Sequence, residues 1–457
     1  MSTEQMSYPA HARAVLRLGL PLIGGHLGQV AIGVTDTVML GWYGVESLAA
    51  GTLAHTYFFV LFLMGAGFAW AVMPLVAAFD AQGDQVNVRR ATRMGLWLSL
   101  AFAALALPLM IFSEPILRLL GQGDAVSALA SEYLALAGIG IFPALTVMVI
   151  KSYLAALERT QVVFWITIVA AISNGLANYA FIFGHWGAPE LGIAGAALAS
   201  IVTQMVMLLG VVLYAVLVLP EHALFKRFWR SDWEMLGRVF RLGWPIGLTS
   251  LSEVGLFAAS AFMMGWLGTI PLAAHGIAVQ LASITFMVHL GLANVATIRA
   301  GNALGRGDRP HMAQGAQVVT LLSLAMAVMT ILAFVIWPEP LISLFMQENE
   351  PAREEIMAIG IVLLALAALF QLVDGAQVVA LGLLRGVQDT TIPMVLAGIS
   401  YWLVGIPCSY VLGFVLGWSG PGVWLGLVVG LACAGVLLMA RFWGSAIRRV
   451  ELPAQPA

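Results

Sequence analysis

Three carboxylic acids lie well inside apolar stretches of the sequence, where charged residues are rare: Asp36, Glu253 and Asp374. A charge at the centre of a bilayer costs at least about 2.5–3.5 kcal/mol on insertion scales, so such residues face a bundle interior or a watery cavity. One buried acid is explained by a structural hydrogen bond between helices. Three of them favour cation binding or proton transfer, and we therefore take them as candidate sites for an ion or a cationic substrate.

Two asparagines form a second polar constellation. Asn174 and Asn178 stand four residues apart in the stretch AISNGLANYAF, so their amides lie on one face of a helix. Beside a carboxylate they would form an oxygen-rich site for a hard cation such as Na⁺, or a hydrogen-bond network around a protonatable Asp. The same spacing also fits polar contacts that only hold helices together. The spacing leaves both interpretations open.

The stretch that carries Asp36 occurs again, in altered form, 224 residues later with Glu253 as its acid. Pairs at this offset include Gly243 with Gly19, Pro245 with Pro21, Trp266 with Trp42, and Gly307-Asp308 with Gly83-Asp84. Such fixed spacing indicates an internal repeat, and two-repeat transporters bind substrate and ion between or within their halves. The sequence therefore predicts two copies of one module.

The acids on the repeated stretch do not occupy equivalent positions. Glu253 lies opposite Gln29 in the repeat, and Asp36 lies opposite Ser260. In the repeat frame the positions of the two acids are seven residues apart, which is about 10.5 Å along a helix. Seven residues are close to two helical turns, so both acids lie on roughly the same face. We therefore expect the two halves to carry different sites at different depths.

The composition predicts a membrane protein. Of the 457 residues, 61% are hydrophobic and 10% are charged, against about 25% charged in soluble domains. Twelve apolar runs reach the ~20 residues that a spanning helix needs. We therefore predict an all-α polytopic membrane protein with twelve transmembrane helices in two pseudo-symmetric six-helix bundles. The cysteines, Cys408 and Cys433, lie in apolar runs and predict neither a disulfide scaffold nor a zinc site.

The charged loops predict the domains and the orientation. The expected parts are an amino-terminal lobe over 1–219, a cytoplasmic linker over 220–238, a carboxy-terminal lobe over 239–444 and a cytoplasmic tail over 445–457. The linker mixes aromatic and basic residues, which suits a segment at the level of the inner lipid headgroups.

If the amino terminus is inside, only Arg118 and Arg353 of the 21 basic residues fall outside. We therefore expect both termini in the cytoplasm and the protein in the inner (plasma) membrane.

Motifs for enzymatic work are missing or misplaced. The sequence contains no phosphate-binding GxxxxGK[ST], nucleophile-elbow GxSxG or HExxH pattern. Two GxGD matches, at 121–124 and 305–308, fall in loops, which argues against an intramembrane hydrolase that uses Asp36 and Asp374. We expect no enzyme activity and no cofactor, so the energy for transport would come from an ion gradient.

The motifs resemble those of multidrug and toxic compound extrusion (MATE) transporters, and in particular the NorM branch. Matching pieces cover most of the chain and include VTDTVMLGWYG, NYAFIFGHWGAPELG, SEVGLFAASAFMMGWLG, IRAGNALGRGD, FQLVDGAQVVALGLLRGVQDT and YWLVGIPCSYVLG. The resemblance implies two six-helix lobes around a cavity that opens alternately to each membrane face. It also implies export of mostly cationic, amphipathic compounds against inward Na⁺ or H⁺.

The resemblance also assigns roles to the candidate residues. Asp36 matches the amino-lobe carboxylate, with Asn174 and Asn178 as its partners. Glu253 and Asp374 match a carboxy-lobe pair linked to cation coupling, with Na⁺ as the candidate metal.

Two features of this sequence depart from the pattern of the family. Phe286 and Phe370, at aromatic positions near the carboxy-lobe acids, carry no hydroxyl. Asn178 is neutral where some relatives carry a second acid, which favours a one-proton role for Asp36.

The predicted function is secondary active multidrug efflux by cation-coupled antiport, in which ion and drug compete for the same carboxylates. The expected partners are small-molecule drugs, organic cations and the lipid bilayer, with no nucleic acid, and we expect a monomer. The alternative is a lipid-linked precursor flippase of a related two-bundle superfamily. A flippase would need cationic residues for pyrophosphate, and the predicted helices hold almost no Arg or Lys. A passive channel would leak ions without exchanging substrate.

Overall fold

The computed structural model describes residues 6–347 and 350–450, and every regular element in these ranges is helical. A helix pairs its backbone groups within one segment, which hydrocarbon requires because it offers no water. The predicted all-α class is confirmed. Residues 1–5 of the predicted amino-terminal lobe, 348–349 of the carboxy-terminal lobe and 451–457 of the predicted tail lie outside the described residues.

Twelve of the described helices are long and apolar enough to cross a membrane, which confirms the predicted number. They are α1 (Tyr8–Tyr43), α2 (Val45–Ala81), α3 (Gln85–Ile111), α4 (Asp124–Ala156), α5 (Thr160–Phe183), α6 (Gly192–Val218), α7 (Trp233–Leu267), α8 (Thr269–Arg306), α9 (Arg309–Ile336), α10 (Arg353–Gly386), α11 (Thr391–Val415) and α12 (Ser419–Ala446). Short helices, Ser113–Leu119 and Pro338–Ser343, precede α4 and α10, and a 3₁₀ turn, Pro220–His222, follows α6.

The internal repeat is visible in the turns that lead into α3 and α9. Gly83 and Gly307 both adopt left-handed backbone conformations, with φ of 73° and 65°. The next residue caps the following helix in each copy, because Asp84 and Asp308 accept hydrogen bonds of 3.0 Å from the backbone N–H groups of Asn87 and His311. Glycine tolerates the left-handed turn and Asp is a favoured cap, so the same Gly-Asp pair folds alike in both repeats.

The described helices form two compact units. One runs from Gly24 to Gly247, and the other joins the described residues up to Ile23 with those from Leu248 onward. The breaks after Ile23 and Gly247 are themselves 224 residues apart, so they fall at equivalent positions of α1 and α7. Each of these helices therefore contributes to both units. The lobe boundaries drawn from the sequence, at 219 and 239, stay a prediction.

Small residues explain why the early part of α7 belongs with the first repeat. A Cβ atom at Gly67 of α2 would lie 2.5 Å from the carbonyl oxygen of Gly243 and 2.6 Å from the backbone nitrogen of Gly247. In the other unit, a Cβ atom at Gly291 of α8 would overlap Cγ1 of Ile23 on α1. Glycines allow helix backbones to approach this closely, which favours packing in lipid. The two contacts are related by the repeat.

Candidate functional site

The amino-half polar site joins α1 to α5. Oδ1 of Asp36 accepts hydrogen bonds from Nδ2 of Asn178 at 2.6 Å and from Nδ2 of Asn174 at 3.0 Å. The two amides are also linked, because Nδ2 of Asn178 donates to Oδ1 of Asn174 at 3.2 Å. Both asparagine residues are fully buried. The i,i+4 spacing thus places both amides on the face that meets the carboxylate.

Two acceptor oxygens remain available at this site. Among the described residues, none donates a hydrogen bond to Oδ2 of Asp36, and the buried Oδ1 of Asn178 has no partner. A buried acceptor without a donor costs free energy, so it is a natural place for a proton or a cation. The arrangement can hold a carboxylate in place while leaving part of its binding capacity unused.

Two further residues lie within electrostatic range of the Asp36 carboxylate: His55 on α2 and Tyr133 on α4. The His55 side chain is exposed and stacks on Phe59 with ring centroids 6.4 Å apart. Tyr133 is buried. Neither residue could be predicted from the sequence, because neither has a spacing relation to Asp36 and only the packing of α2 and α4 brings them near it.

The carboxy-half site is centred on α10, α7 and α11. Asp374 on α10 is buried and interacts electrostatically with Glu253 on α7. The fully buried phenol of Tyr401 lies within electrostatic range of both acids and accepts a hydrogen bond of 2.6 Å from Nε2 of Gln377. Arg385, in the last turn of α10, interacts electrostatically with Glu253. The structure thus brings the two predicted acids together.

Unpaired buried oxygens mark this second site. Oδ1 of Asp374, Oε1 of Gln371 and Oε1 of Gln377 are buried without a hydrogen-bond partner among the described residues. Nearly all buried polar atoms in proteins are paired, so three orphaned oxygens on one helix are unusual. Hard cations prefer oxygen ligands of this kind. Within residues 6–347 and 350–450, however, no cluster of three or more His, Cys, Asp and Glu side chains could hold a metal ion.

Tyr401 is the main site residue that the sequence analysis missed. The resemblance pointed to Phe286 and Phe370 as the aromatic residues near the acids, and neither carries a hydroxyl. The phenol that lies near the acids in the structure belongs to Tyr401 on α11. Tyr401 lies in a π-helical segment, Ile399–Gly405, a distortion that is frequent at functional sites. The repeat could have pointed to it, because Ser400-Tyr401 answers Ser173-Asn174 at an offset of 227.

The sequence comparisons agree with the repeat and the resemblance. A family model described as MatE matches residues 21–180 and 245–411, so its two matches begin 224 residues apart. A probable multidrug resistance protein NorM from Rhizobium meliloti (strain 1021) is 46% identical over 456 residues, which cover 99% of this chain and 97% of the relative. A protein of the same name from Agrobacterium fabrum is 43% identical over 438 residues, covering 95% and 94%.

Solved structures with the same fold include transporters of distant sequence. The crystal structure of the eukaryotic MATE transporter AtDTX14 superposes with a TM-score of 0.85 at 18% identity, covering 97% of this chain and 98% of that one. A MOP superfamily transporter from Pyrococcus furiosus, whose reversed binding-pocket polarity suggests a different function, gives a TM-score of 0.84 at 19% identity, covering 96% and 97%. These likenesses confirm the fold.

Proposed function

This chain belongs to the MatE family, and from that premise we propose that it exports drugs by cation-coupled antiport. Its relatives are named as multidrug resistance proteins, which supports multidrug efflux. The proposed substrates are organic, mostly cationic and amphipathic compounds. The proposed energy source is an inward gradient of Na⁺ or H⁺, and the proposed cycle is alternating access of the binding site to the two membrane faces.

The observation that carries this proposal is the pair of interacting carboxylates, Glu253 and Asp374, within otherwise apolar helices. Asp374 keeps one buried oxygen without a donor, and nearby α10 amide oxygens are also unpaired. Arg385 can balance one of the two negative charges, and the remaining charge is stabilised when a cation, a proton or a cationic substrate neutralises it. Both an inorganic cation and an organic cation meet that need, so the two can replace each other.

We assign different ions to the two sites as part of the proposal. The three orphaned oxygens on α10 favour Na⁺ beside Glu253 and Asp374. At Asp36 the partners Asn174 and Asn178 are neutral amides that donate to one carboxylate oxygen, which leaves the other for a proton or an organic cation. Binding of the ion on the outer side then displaces the drug and resets the transporter.

We also propose an orientation, a membrane and an oligomeric state for the protein. Both termini lie in the cytoplasm, because that orientation keeps nearly all Lys and Arg residues of the loops inside. The protein acts in the inner (plasma) membrane as a monomer, with drugs and lipids as partners and no nucleic acid. Attachment of a green fluorescent protein to the carboxy terminus tests the orientation, since that fluorophore matures in the cytoplasm and fails to mature after export by the general secretory route.

The experiment that tests the function is efflux of ethidium from proteoliposomes under a Na⁺ gradient and a pH gradient applied separately. We expect each gradient to drive efflux. Efflux driven by Na⁺ alone would contradict the proton role of Asp36, and efflux driven by pH alone would contradict the Na⁺ role of Glu253 and Asp374. If neither gradient moved the dye, drug antiport would be wrong and the flippase alternative would be the next to test.

A further inference from the structure

A polar cavity lies apart from both acidic sites, where the first turns of α3 meet the segment between α6 and α7. It has a volume of about 530 Å³. Its lining includes six basic residues: Arg89, Arg90, Arg93, Lys226, Arg227 and Arg230. The single acid in the lining is Asp232. The cavity therefore carries a strong excess of positive charge.

Hydrogen bonds hold the segment between α6 and α7 over α3. Nε1 of Trp97 donates to the carbonyl oxygen of Phe228 at 3.0 Å, and Nη1 of Arg93 donates to the carbonyl oxygen of Arg227 at 3.2 Å. Arg227 itself has a left-handed backbone, with φ of 54°, which is unfavourable for a residue with a side chain. These contacts fix the backbone of the segment and the side chain of Arg93, so the wall of the cavity is formed in advance of any ligand.

Only one of the six cations forms an ion pair with neighbouring acids, although Asp232 also lies within electrostatic range of Arg93. Arg90 forms ion pairs with Asp232 at 2.5 Å and with Glu234 at 3.2 Å. Through its hydrogen bond, Arg90 lowers the pKa of Asp232, so that acid stays charged at neutral pH. The other five cations form no ion pair within 4.0 Å with any acid in the described part of the chain. An anion bound among these cations would offset their mutual repulsion.

Arg93 provides the most specific sign of a ligand. Its residue is only 6% exposed, and its buried Nε has no hydrogen-bond partner among the described residues. A buried guanidinium N–H is nearly always paired, and phosphate or carboxylate groups are the acceptors that match its planar fork. An anion in the cavity would supply the missing acceptor.

We propose that this cavity binds the phosphate of an anionic phospholipid headgroup. Trp229 and Trp233 adjoin the lining residues Arg230 and Asp232 in the sequence and are 79% and 73% exposed, as is usual for aromatic side chains at the headgroup level of a membrane. Two candidate spans precede α3 and six precede the segment between α6 and α7, so the cavity lies on the same membrane face as the described residues before α1 and after α12. In the proposed orientation this is the cytoplasmic leaflet, whose anionic lipids attract basic segments.

The second repeat provides an internal control. At the offset of 224, the positions of Arg89, Arg90 and Arg93 are occupied by Ala313, Gln314 and Gln317. The capped turn is the same in both repeats, but only the first repeat has basic side chains at these three positions. The double variant Arg306→Gln with Arg309→Gln removes two cations from the corresponding turn of the second repeat and leaves the residues of the cavity unchanged. It is therefore the control variant.

The test compares lipid retention by the purified full-length protein in native mass spectrometry, with phosphatidylglycerol and phosphatidylcholine as probes. We expect the wild-type protein to retain phosphatidylglycerol preferentially. The variant Arg93→Gln with Arg227→Gln should lose about thirtyfold in apparent affinity for it, or about fivefold per charge. The control pair at 306 and 309 should stay within about twofold of the wild type by the same scale.

Arg93 is buried, so a second variant with Lys226→Gln and Arg230→Gln, both exposed, tests the cavity if the first fails to fold. Equal retention of phosphatidylglycerol by the wild type and this variant would overturn the proposal. Inorganic phosphate and glycerol 1-phosphate test the source of the anion, and we expect neither to displace the lipid better than chloride at equal ionic strength. Displacement by either at millimolar concentration would overturn the lipid assignment.

Discussion

The two repeats build the same helix and use it for different chemistry. Asp36 lies opposite Ser260, whose hydroxyl donates to the carbonyl oxygen of Phe257 on its own helix. In the other direction, Glu253 lies opposite Gln29. The amino half holds one acid with two amide donors, whereas the carboxy half combines two acids, and both halves keep buried acceptor oxygens without a donor. Repetition has kept the scaffold and its turns, while the polar side chains have diverged.

Because the two sites differ, mutations in them should impair different ion-driven efflux activities. This is the largest effect that we expect. Asp374→Asn should lower Na⁺-driven ethidium efflux at least tenfold, because a charged ligand contributes more than about 1.4 kcal/mol. It should leave pH-driven efflux measurable. Asp36→Asn, once shown to be folded, should lose exchange of substrate for protons. If the two variants lost both gradients equally, the sites would act as one and the comparison would fail.

The amides of the amino half should contribute less than its acid. Asn178→Leu removes the 2.6 Å donor to Asp36, and helix-to-helix hydrogen bonds in membranes are worth about 0.6–1.7 kcal/mol. We expect proton-driven efflux to fall about three- to eighteenfold by that measure. A matched change in the other half, Gln377→Leu, should spare proton-driven efflux. A loss in Asn178→Leu as complete as in Asp36→Asn would show that the amide is itself a ligand.

Equivalent glycines should differ in their tolerance of a side chain. Gly67→Ala forces a Cβ atom against the backbone of Gly243 and Gly247, which cannot move without shifting the helix. Overpacking of this kind costs about 1–3 kcal/mol, and thermal unfolding in detergent should show it. Gly291→Ala meets the side chain of Ile23 first and should cost less. Gly33→Ala, with no atom within 4 Å, is the control and should not destabilise.

The smallest predicted effect is a pH dependence in the segment that joins the repeats. Burial lowers the pKa of His222, whose Nδ1 lies 2.5 Å from the Tyr153 hydroxyl oxygen. The neutral form is therefore favoured in the folded state. Its stabilising contribution is complete above the unfolded pKa of about 6.5 and declines as the pH falls through that value towards the lower folded pKa. The protection factors of residues 219–232, which correct hydrogen exchange for its intrinsic pH dependence, should therefore fall as the pH drops from about 7.5 to about 5.5.

A control isolates the titration of His222 from other acid effects. His222→Gln cannot take up a proton, so the protection factors of residues 219–232 should lose most of this pH dependence. The protection factors of residues 427–438 on α12, which have no contact with His222, should stay the same at both pH values in either protein. Unchanged protection of residues 219–232 in the wild type would contradict the prediction, as would an equal loss of protection in His222→Gln.

Much of the fold followed from the sequence because its causes are local or periodic. The length of the apolar runs predicted twelve spans, and the 224-residue offset predicted the matching turns at Gly83 and Gly307. The i,i+4 spacing predicted that Asn174 and Asn178 share a face, and the structure adds that this face meets Asp36. Their roles in transport stay predictions.

The remainder depends on which helices pack together, which no local pattern records. Tyr401 comes near the acids only because α11 packs beside α10 and α7, and its π-helical segment left no mark in the hydrophobic pattern. The basic cavity likewise joins residues more than 130 positions apart, since Arg93 meets the carbonyl oxygen of Arg227. The sequence showed both basic clusters but not that they line one space.

The most direct test of the account is competition between the ion and the drug. Ethidium binding to the protein in lipid nanodiscs would be followed by fluorescence while choline is replaced by Na⁺ at constant ionic strength. We predict that Na⁺ raises the apparent Kd of ethidium in the wild type and no longer does so in Asp374→Asn. An apparent Kd that is independent of Na⁺ in the wild type would contradict the claim that both cations use the same carboxylates.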